Sequence, residues 1–303
     1  MIEELSSLFW WLGLIVFLYL SANFLRILLI YHILPTKLST YGKSWALVTG
    51  ATYGIGKAYA VSLAAKGFNL YLIARTESLL IDLSKELSSK YQIQVLYMKC
   101  DFSGLQTSES LQQKFIDLFQ SYDFSILINN VSSLSRIHFS DMKLNEINYM
   151  HSLNTYPLLF LSKVFLDNSS HRKGKRGIIT LSSASTVLTM PMISLYSGTK
   201  CFGDRFMLAL YNETDADILC VRPLAVSSNM TENYKPNLVL DDPKDLVEPS
   251  LKCLGRIDIC YGSWKHIFYY FLLYGLPSWL TKAIFYFFIY ESVHRKIFPR
   301  SKM

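Results

Sequence analysis

The fold is indicated by residues 45–75, which read WALVTGATYGIGKAYAVSLAAKGFNLYLIAR. A short apolar run at residues 45–48 leads into the glycine-rich stretch TGATYGIG at residues 49–56. Helical periodicity then extends over residues 55–66, and a second apolar run covers residues 69–74. A strand, a glycine turn, a helix and another strand in this order predict the opening unit of an α/β domain with parallel strands.

The same alternation continues along the chain. Further apolar strands are predicted at residues 93–99, 125–130, 177–181 and 218–221, with helices at residues 77–90, 105–120, 144–166 and 194–212. Nearly continuous apolar strands are typical of a parallel sheet that is covered by helices on both faces. We therefore expect one doubly wound, Rossmann-like α/β domain over residues 44–262, preceded by a linker at residues 35–43.

Composition narrows the classes of partner. The chain has 303 residues, 51% of them hydrophobic, with a net charge of +7 and a pI near 9.0. This charge suits anionic lipid, phosphorylated ligands or nucleic acid, but the sequence has no zinc-finger spacing and no long arginine-rich run, so we expect no nucleic-acid partner. The five cysteines are odd in number and show no paired spacing, which predicts free, mostly buried thiols in a reducing compartment. No metal site is predicted.

The N-terminal region, residues 1–34, is expected to anchor the chain in a membrane. Residues 8–25 carry no charge, and as a helix they would extend about 27 Å, close to the thickness of a bilayer core. The alternative is a cleaved signal peptide. A signal peptide usually has basic residues near its start, whereas this chain has Glu3 and Glu4 there. Basic residues follow the segment instead, at Arg26, Lys37 and Lys43. By the positive-inside rule, the domain that follows should face the cytosol.

The C-terminal region, residues 263–303, is also expected to contact the membrane. Residues 267–290 are apolar and rich in aromatic rings, but Pro277 and Lys282 divide them into halves that are too short to cross a bilayer. The tail beyond them is basic, with Arg295, Lys296, Arg300 and Lys302. These features favour a hydrophobic hairpin that dips into the membrane, with a basic edge against anionic lipid. The alternatives are a hydrophobic cap packed on the domain and a dimer contact.

Residues 229–245 interrupt the alternation with Pro236, Pro243 and several acidic residues. Ligands bind at the carboxyl ends of the strands in such sheets, so this segment is interpreted as a flap over the site. A plain surface loop is an equally good interpretation.

The glycine-rich stretch predicts a dinucleotide site. Glycines at this place allow a tight turn and let the backbone approach a pyrophosphate, while the helix N-terminus offers free N–H groups to the phosphates. Nineteen residues after Gly56 stands Arg75, where an NAD site usually has a carboxylate for the ribose 2′-hydroxyl. Because a guanidinium can grip a 2′-phosphate with paired bonds, Arg75 favours NADPH. The alternative is a solvated arginine near Glu77. The predicted contacts in the turn are Gly50, Thr52, Tyr53, Gly54, Ile55 and Gly56.

Two more strand ends carry polar residues. Asp101 can accept a hydrogen bond from the adenine amino group, or it can cap the helix that follows. Asn129 and Asn130 can tie neighbouring strands together or line the cofactor cleft.

Tyr196, Lys200 and Ser183 form the predicted catalytic group. Tyr196 and Lys200 are one helical turn apart and share a face. A phenol has an ordinary pKa near 10, and the Lys200 ammonium and the positive charge of a nicotinamide both favour its ionised form and bring the pKa toward the working range. Ser183 follows a predicted strand and can donate to a substrate carbonyl. Asn154 can hold a water that links Lys200 to solvent.

These positions resemble the short-chain dehydrogenase/reductase family over about residues 44–262. The matching positions are residues 49–56, Asp101, Asn129, Asn130, Asn154, Ser183, Tyr196 and Lys200. Within the family the chain is most similar to the very-long-chain 3-oxoacyl-CoA reductases and the 17-beta-hydroxysteroid dehydrogenases of the endoplasmic reticulum. This likeness extends to Ala74-Arg75-Thr76 and to Leu276-Pro277-Ser278-Trp279.

The resemblance implies a role for each matched residue. Tyr196 would be the proton donor, Lys200 would lower its pKa and bind the ribose, Ser183 would polarise the carbonyl, and Asn154 would belong to a proton relay. It also implies cofactor contacts from the loop after the sixth strand, at Pro223, Val226 and Ser228. Two positions depart from the family pattern, with Ser132 and Leu224 standing where glycine is usual.

The sequence therefore predicts a membrane-anchored, NADPH-dependent reductase of a lipidic ketone. The favoured substrate is a long-chain 3-oxoacyl-CoA in fatty-acid elongation, and the alternative is a steroid or retinoid ketone. A non-catalytic membrane scaffold that binds a dinucleotide is a hypothesis of a different class. The expected location is the endoplasmic reticulum membrane. The resemblance also allows a homodimer through the helices at residues 105–120 and 144–166.

Overall fold

A seven-stranded, all-parallel sheet forms the centre of the computed structural model, in the order β3-β2-β1-β4-β5-β6-β9. The structure describes residues 2–32, 36–42, 44–169, 174–228, 230, 235–237, 240–274, 276–277, 279–284 and 287. The strands are β1 Trp45–Thr49, β2 Asn69–Ala74, β3 Val95–Lys99, β4 Phe124–Asn129, β5 Gly177–Leu181, β6 Asp217–Val221, β7 Ala225–Val226, β8 Leu240–Asp241 and β9 Ile259–Cys260. The helices are α1 Ile2–His32, α2 Gly54–Ala65, α3 Glu77–Tyr91, α4 Glu109–Ser121, α5 Leu144–Ser169, α6 Ser194–Leu210, α7 Pro243–Cys253 and α8 Trp264–Tyr274.

Helices cover both faces of the sheet because successive strand residues point to opposite sides. In β1, Ala46 and Val48 pack with α2, α3 and α7 on one face, whereas Leu47 packs with α4, α5 and α6 on the other. On each face of the sheet, the core contains fully buried side chains. The predicted doubly wound α/β fold is confirmed.

The strand order also locates the ligand crevice. From β1 the chain builds outward to β2 and β3 on one side, and then returns to place β4 on the other side of β1. In such sheets the crevice opens at the carboxyl ends of the two strands where the order reverses. Here these strands are β1, which leads into the glycine turn, and β4, which ends in Asn129.

Several element bounds differ from the prediction. The helix expected from residue 105 begins only at Glu109, because the Ser108 hydroxyl accepts a hydrogen bond from the Leu111 backbone N–H and caps it there. The flap predicted at residues 229–245 ends in regular structure, since it contains β8 and the first turn of α7. Asp242 caps α7 by accepting from Lys244 N, and Pro243 stands in its first turn, which is a helix-start signal present in the sequence. Residues 229, 231–234 and 238–239 of that segment lie outside the described residues.

The first helix, α1, is long and apolar enough to cross a membrane. Its 22-residue stretch Ser6–Ile27 has a mean hydropathy of 1.9, and none of its most apolar window is buried in the structure. The described side chains of α1 that pack on the domain lie near the end of the helix, where Ile30 is buried in the core and Phe24 and Ile27 pack against it. This arrangement suits a helix that leaves a bilayer just before it meets the domain.

The predicted C-terminal hairpin is only partly described. Its first half forms α8, whose Ile267 is fully buried in the core, so one face of this half is a cap on the domain. Residues 279–284 are helical beyond Pro277. The basic residues Arg295, Lys296, Arg300 and Lys302 lie outside the described part of the chain.

All five cysteines are thiols that form no disulfide, and four of them are buried: Cys100, Cys220, Cys253 and Cys260. The prediction of mostly buried thiols without disulfide pairing is confirmed. Cys201, on α6, is half-buried.

Candidate active site

The glycine turn is tight because neighbouring groups leave no room for a side chain. Gly50 has a φ of +64°, and a Cβ added to Gly56 would lie 2.2 Å from the Gly50 carbonyl oxygen. Tyr53 precedes α2 without a side-chain hydrogen bond to the helix end. The first N–H groups of α2 are therefore available to a phosphate group.

The turn is held against the end of β4 by hydrogen bonds. The Asn130 side-chain Nδ2 donates to the Thr49 carbonyl oxygen at 2.9 Å and to the Gly50 carbonyl oxygen at 3.3 Å. The Thr49 hydroxyl accepts from the backbone N–H of Asn130 at 2.9 Å and of Val131 at 3.1 Å. Of the two asparagines at this strand end, Asn130 thus contacts the turn. Asn129 is buried, and its Nδ2 donates to Ser162 Oγ on α5 at 3.2 Å.

The loop after β6 faces the turn from across the crevice. A Cβ added to Gly54 would lie 2.9 Å from the Cβ of Ser228, so these two predicted cofactor residues are brought together. Pro223 and Val226 are buried in the same loop, and Val226 pairs in β7 with Asp241 in β8. Thr52 and Ile55 are half-buried beside the glycines.

Arg75 is exposed just beyond β2, and its Nη1 donates to the Tyr149 hydroxyl at 3.1 Å. Glu77, the carboxylate proposed as an alternative neighbour, pairs instead with Lys99, with Glu77 Oε2 and Lys99 Nζ 3.7 Å apart. The guanidinium is therefore not neutralised by Glu77. Its position at the carboxyl end of the strand next to β1 is the one expected for a 2′-phosphate contact.

Asp101 is a helix cap. Its Oδ1 accepts from Ser103 N at 3.0 Å and begins a single 3₁₀ turn, Phe102–Gly104. The capping interpretation is confirmed for this turn, while the predicted helix after it starts later. The adenine contact stays a prediction.

The three catalytic candidates meet at the carboxyl end of β5. Ser183 follows that strand, and Tyr196 and Lys200 lie on the first two turns of α6, with Lys200 Nζ 5.7 Å from the centre of the Tyr196 ring. The side chains of Tyr196 and Ser183 are hydrogen-bonded. Lys200 is buried, and its Nζ donates to the Leu181 carbonyl oxygen at 2.5 Å.

Burial dominates the proton affinities of this group. It raises the pKa of Tyr196 to about 12, although the hydrogen bond with Ser183 and the charge of Arg136 act in the lowering direction. Burial also lowers the pKa of Lys200 to about 8. Among the protein's own groups, the loss of hydration around the phenol outweighs the favourable charges. At neutral pH Tyr196 therefore keeps its proton. The lowering of the phenol pKa by Lys200 and a positively charged nicotinamide together stays a prediction.

Asn154, on α5, joins the loop after β4 to the catalytic helix. Its Nδ2 donates to the Ser133 carbonyl oxygen and to Thr199 Oγ1, both at 3.0 Å, and its Oδ1 accepts from Ser133 N at 2.8 Å. Thr199 in turn donates to the Tyr196 carbonyl oxygen at 2.8 Å. Asn154 thus contacts the neighbours of Tyr196 and Lys200.

A small cavity of about 20 Å³ lies beside Lys200, lined by Asn129, Asn154, Thr180, Leu181 and Asp204 among others. It has room for one water molecule. The Thr180 hydroxyl is buried and has no hydrogen-bond partner in the protein. The cavity therefore offers polar groups that a water can bridge.

A buried ion pair, not foreseen from the sequence, supports the site. Arg222 Nη2 and Nε donate to the two carboxylate oxygens of Asp204 at 2.6 and 3.0 Å, and Ser182 Oγ donates to Asp204 Oδ1 at 2.8 Å. Asp204 lies one turn after Lys200 on α6, and Arg222 directly follows β6. The pair ties the catalytic helix to the ends of β5 and β6. A basic residue beside the predicted strand end was visible in the sequence, but its partner was not.

Among the described residues there is no group of three or more His, Cys, Asp or Glu side chains that could hold a metal ion.

Comparison with known proteins finds a matching family model and similar sequences. A family model described as short chain dehydrogenase matches residues 44–238. The very-long-chain 3-oxoacyl-CoA reductase of Phaeosphaeria nodorum is 35% identical over 243 residues, covering 77% of this chain and 70% of the relative. The very-long-chain 3-oxoacyl-CoA reductase-B of Danio rerio is 30% identical over 298 residues, covering 93% of this chain and 91% of the relative.

Solved structures have the same fold. A chain from a study of 7beta-hydroxysteroid dehydrogenase stereoselectivity superposes with a TM-score of 0.73 at 17% identity, covering 82% of this chain and 99% of that one. A short-chain dehydrogenase from Sphingobium yanoikuyae in complex with NADPH superposes with a TM-score of 0.62 at 22% identity, covering 68% of this chain and 82% of that one. At these identities the likeness is one of fold alone.

Proposed function

Because the chain belongs to the short-chain dehydrogenase family, we propose that it is a membrane-anchored reductase that uses NADPH to reduce the ketone of a long-chain 3-oxoacyl-CoA. The observation that carries this proposal is the meeting of Ser183, Tyr196 and Lys200 at one strand end, beside a glycine turn that leaves no room for a side chain. The substrate class is supported by likeness, over most of the chain, to relatives that bear the reductase name.

The residues present fit a nicotinamide dinucleotide, which supplies the hydride when it is bound. Gly50 and Gly56 let the backbone approach a pyrophosphate, and the uncapped start of α2 provides N–H donors. Arg75 would bind the 2′-phosphate that distinguishes NADPH from NADH. Asp101 and Ser228 would contact the two ends of the molecule, at the adenine and at the nicotinamide amide.

Tyr196 would deliver the proton to the carbonyl oxygen. With a pKa of about 12 the phenol is protonated at neutral pH, which is the state that an acid needs in the direction of reduction. Its hydrogen bond with Ser183 keeps the two hydroxyl groups adjacent, so that both could donate to one carbonyl oxygen when a substrate replaces that bond. Lys200, still mostly protonated at pH 7, would stabilise the phenolate that is left behind.

Reprotonation of the phenolate would pass through the cavity beside Lys200. A water there would meet the unpartnered Thr180 hydroxyl and the side chains of Asn129 and Asn154. In this proposal Asn154 positions the relay, since its own amide hydrogens are used by Ser133 and Thr199. Its remaining oxygen lone pair can accept from the water.

The location of the reaction follows from the anchor. An acyl chain partitions into lipid with about 0.8 kcal/mol per methylene group, so a reductase held at the bilayer meets a long-chain substrate where it is concentrated. The proposed location is the endoplasmic reticulum membrane with the domain in the cytosol, as the basic residues after the apolar segment favour. A homodimer stays a prediction.

The test is a substrate panel with the purified full-length chain in detergent. We expect NADPH oxidation with 3-oxoacyl-CoA substrates of increasing chain length, and little with a panel of steroid and retinoid ketones. If only steroids or retinoids are turned over, the elongation assignment is wrong, although the reductase chemistry stands.

A matched variant separates an enzyme from a dinucleotide-binding scaffold. Tyr196→Phe removes the proton donor and keeps the ring, so NADPH should bind with its wild-type affinity while turnover falls by at least about 10²-fold. Tyr211→Phe, an exposed tyrosine at the end of the same helix, is the control. Equal turnover by wild type and Tyr196→Phe would favour the scaffold.

A further inference from the structure

Helix α8 exposes a continuous apolar stripe. Trp264, Phe268 and Leu272 are spaced four residues apart and are 61%, 51% and 52% exposed. Residues at this spacing lie on one face of a helix. Because three large apolar side chains in a row are costly to leave in water, the stripe marks a contact surface.

The buried face of α8 cannot exchange places with this stripe. Ile267 is fully buried, and Phe271 packs against the core. The neighbouring Tyr270 ring lies 4.2 Å from that of Tyr261, centre to centre. The helix is therefore firmly seated by its inner face, and the stripe is left outside.

A buried polar contact fixes the rotation of α8 about its own axis. Lys265 Nζ lies 3.1 Å from Asp241 Oδ1, and His266 Nε2 lies 3.3 Å from Asp241 Oδ2 and 3.1 Å from the Ala225 carbonyl oxygen. Both Asp241 and His266 are fully buried. Turning the helix to hide the stripe would leave the Asp241 carboxylate buried without the Lys265 ammonium, which is strongly unfavourable.

The position of α8 relative to α1 indicates what the exposed stripe of α8 contacts. The Phe24 and Phe271 rings are in edge contact, with centres 5.9 Å apart. Phe24 belongs to the apolar stretch Ser6–Ile27 of α1, only three residues before its end, which corresponds to about 4.5 Å along the helix. Helix α8 thus lies at the level where α1 would leave the bilayer core.

We propose that the outer face of α8, formed by Trp264, Phe268 and Leu272, lies in the interface of the same bilayer that α1 crosses. The occupant of this face is lipid, because the face is continuous with the membrane-spanning helix and carries a tryptophan of the kind that favours the headgroup level. The contact has a consequence for the site. Through Asp241 and Ala225, α8 is joined to β7 and β8, so the crevice loop that contains Val226 and Ser228 is held at a set distance from the membrane surface.

The test measures the surroundings of position 268 directly and does not depend on turnover. A nitroxide label is attached to Phe268→Cys in the full-length chain, in a Cys201→Ser background because the other four cysteines are buried. The protein is placed in nanodiscs of phosphatidylcholine and phosphatidylserine. The matched control is Tyr211→Cys, another aromatic position, 46% exposed, at the end of α6 on the opposite face of the sheet.

We expect the label at 268 to be several-fold more accessible to oxygen, relative to a water-soluble nickel chelate, than the label at 211. Labels at 264 and 272 should behave like the label at 268. A water-like ratio at 268 would overturn the proposal. Low accessibility to both reagents would also overturn it, since that result means that protein, such as a second copy of the chain, covers the face. An inactive enzyme with a lipid-exposed position 268 would count against the proposed function and leave this inference standing.

Discussion

Replacing Gly56 with alanine tests how tightly the dinucleotide turn is built. The added Cβ would lie 2.2 Å from the Gly50 carbonyl oxygen and 2.7 Å from Asn130 Nδ2. An ordinary contact needs at least about 3.4 Å, so the start of α2 must move by about 1 Å against backbone that cannot yield. Overpacking of this kind costs about 1–3 kcal/mol, and the upper end applies because the obstacle is backbone. For a domain of this size that is a drop in Tm of about 6–12 °C.

NADPH affinity should fall with the same change. A displacement of about 1 Å at the helix start misaligns the N–H donors, which we expect to raise the Kd for NADPH by roughly 10²-fold. Thermal unfolding and a fluorescence titration of NADPH measure the two effects. Gly198→Ala is the matched control, because a Cβ there meets nothing within 4 Å, and removing a helical glycine should stabilise by about 0.4–1 kcal/mol. Wild-type Tm and Kd for Gly56→Ala would refute the tight turn.

Three further predictions concern charged groups of the site. Arg75→Ala should weaken NADPH binding by about tenfold or more and leave NADH binding nearly unchanged; equal losses in fluorescence titrations would exclude a 2′-phosphate contact. Asp204→Ala should destabilise by about 3–5 kcal/mol because Arg222 is left buried and unpaired, whereas Asp204→Leu combined with Arg222→Met should recover most of the loss; a single variant that melts like wild type would contradict this. Folding lowers the pKa of Lys200 from 10.5 to about 8, so between these values Lys200 binds fewer protons in the folded chain than in the unfolded chain, and its own contribution to stability should rise with pH by up to about 3 kcal/mol. Buried cysteines and tyrosines act in the opposite direction, because burial raises their pKa. The stability of wild type relative to Lys200→Met should therefore increase between denaturation curves recorded at pH 8 and pH 10, and an unchanged difference would show that Lys200 is not desolvated.

The elements that could be predicted are those with a strong local signal. The strands β1, β2 and β5 are short apolar runs bounded by polar or glycine residues, so their bounds came within one residue. Helix α7 was missed, although Asp242 and Pro243 form a start signal, because the acidic and proline-containing stretch before it favoured a loop. The two-residue strands β7, β8 and β9 carry no periodicity that a sequence can reveal, since they exist only through their neighbours.

The proton affinities could not be predicted because they depend on solvent exclusion. The spacing of Tyr196 and Lys200 predicts that they are neighbours, and they are. Spacing says nothing about how much water reaches the phenol, and burial turned out to raise its pKa instead of lowering it. In the same way, Asp204 and Arg222 are 18 residues apart in sequence, and only the packing of α6 across β5 and β6 makes them a pair.

By itself the sequence determined the fold class, the thiol state of the cysteines and the identity of the residues that meet at the crevice, because hydrophobic periodicity, glycine-rich turns and residues one helical turn apart act locally. Only the tertiary structure decided which asparagine holds the glycine turn, which carboxylate neutralises Arg222 and which face of α8 is left bare. Each of these depends on contacts between segments that are distant in the chain, and the burial those contacts create sets the energy of every charge in the site.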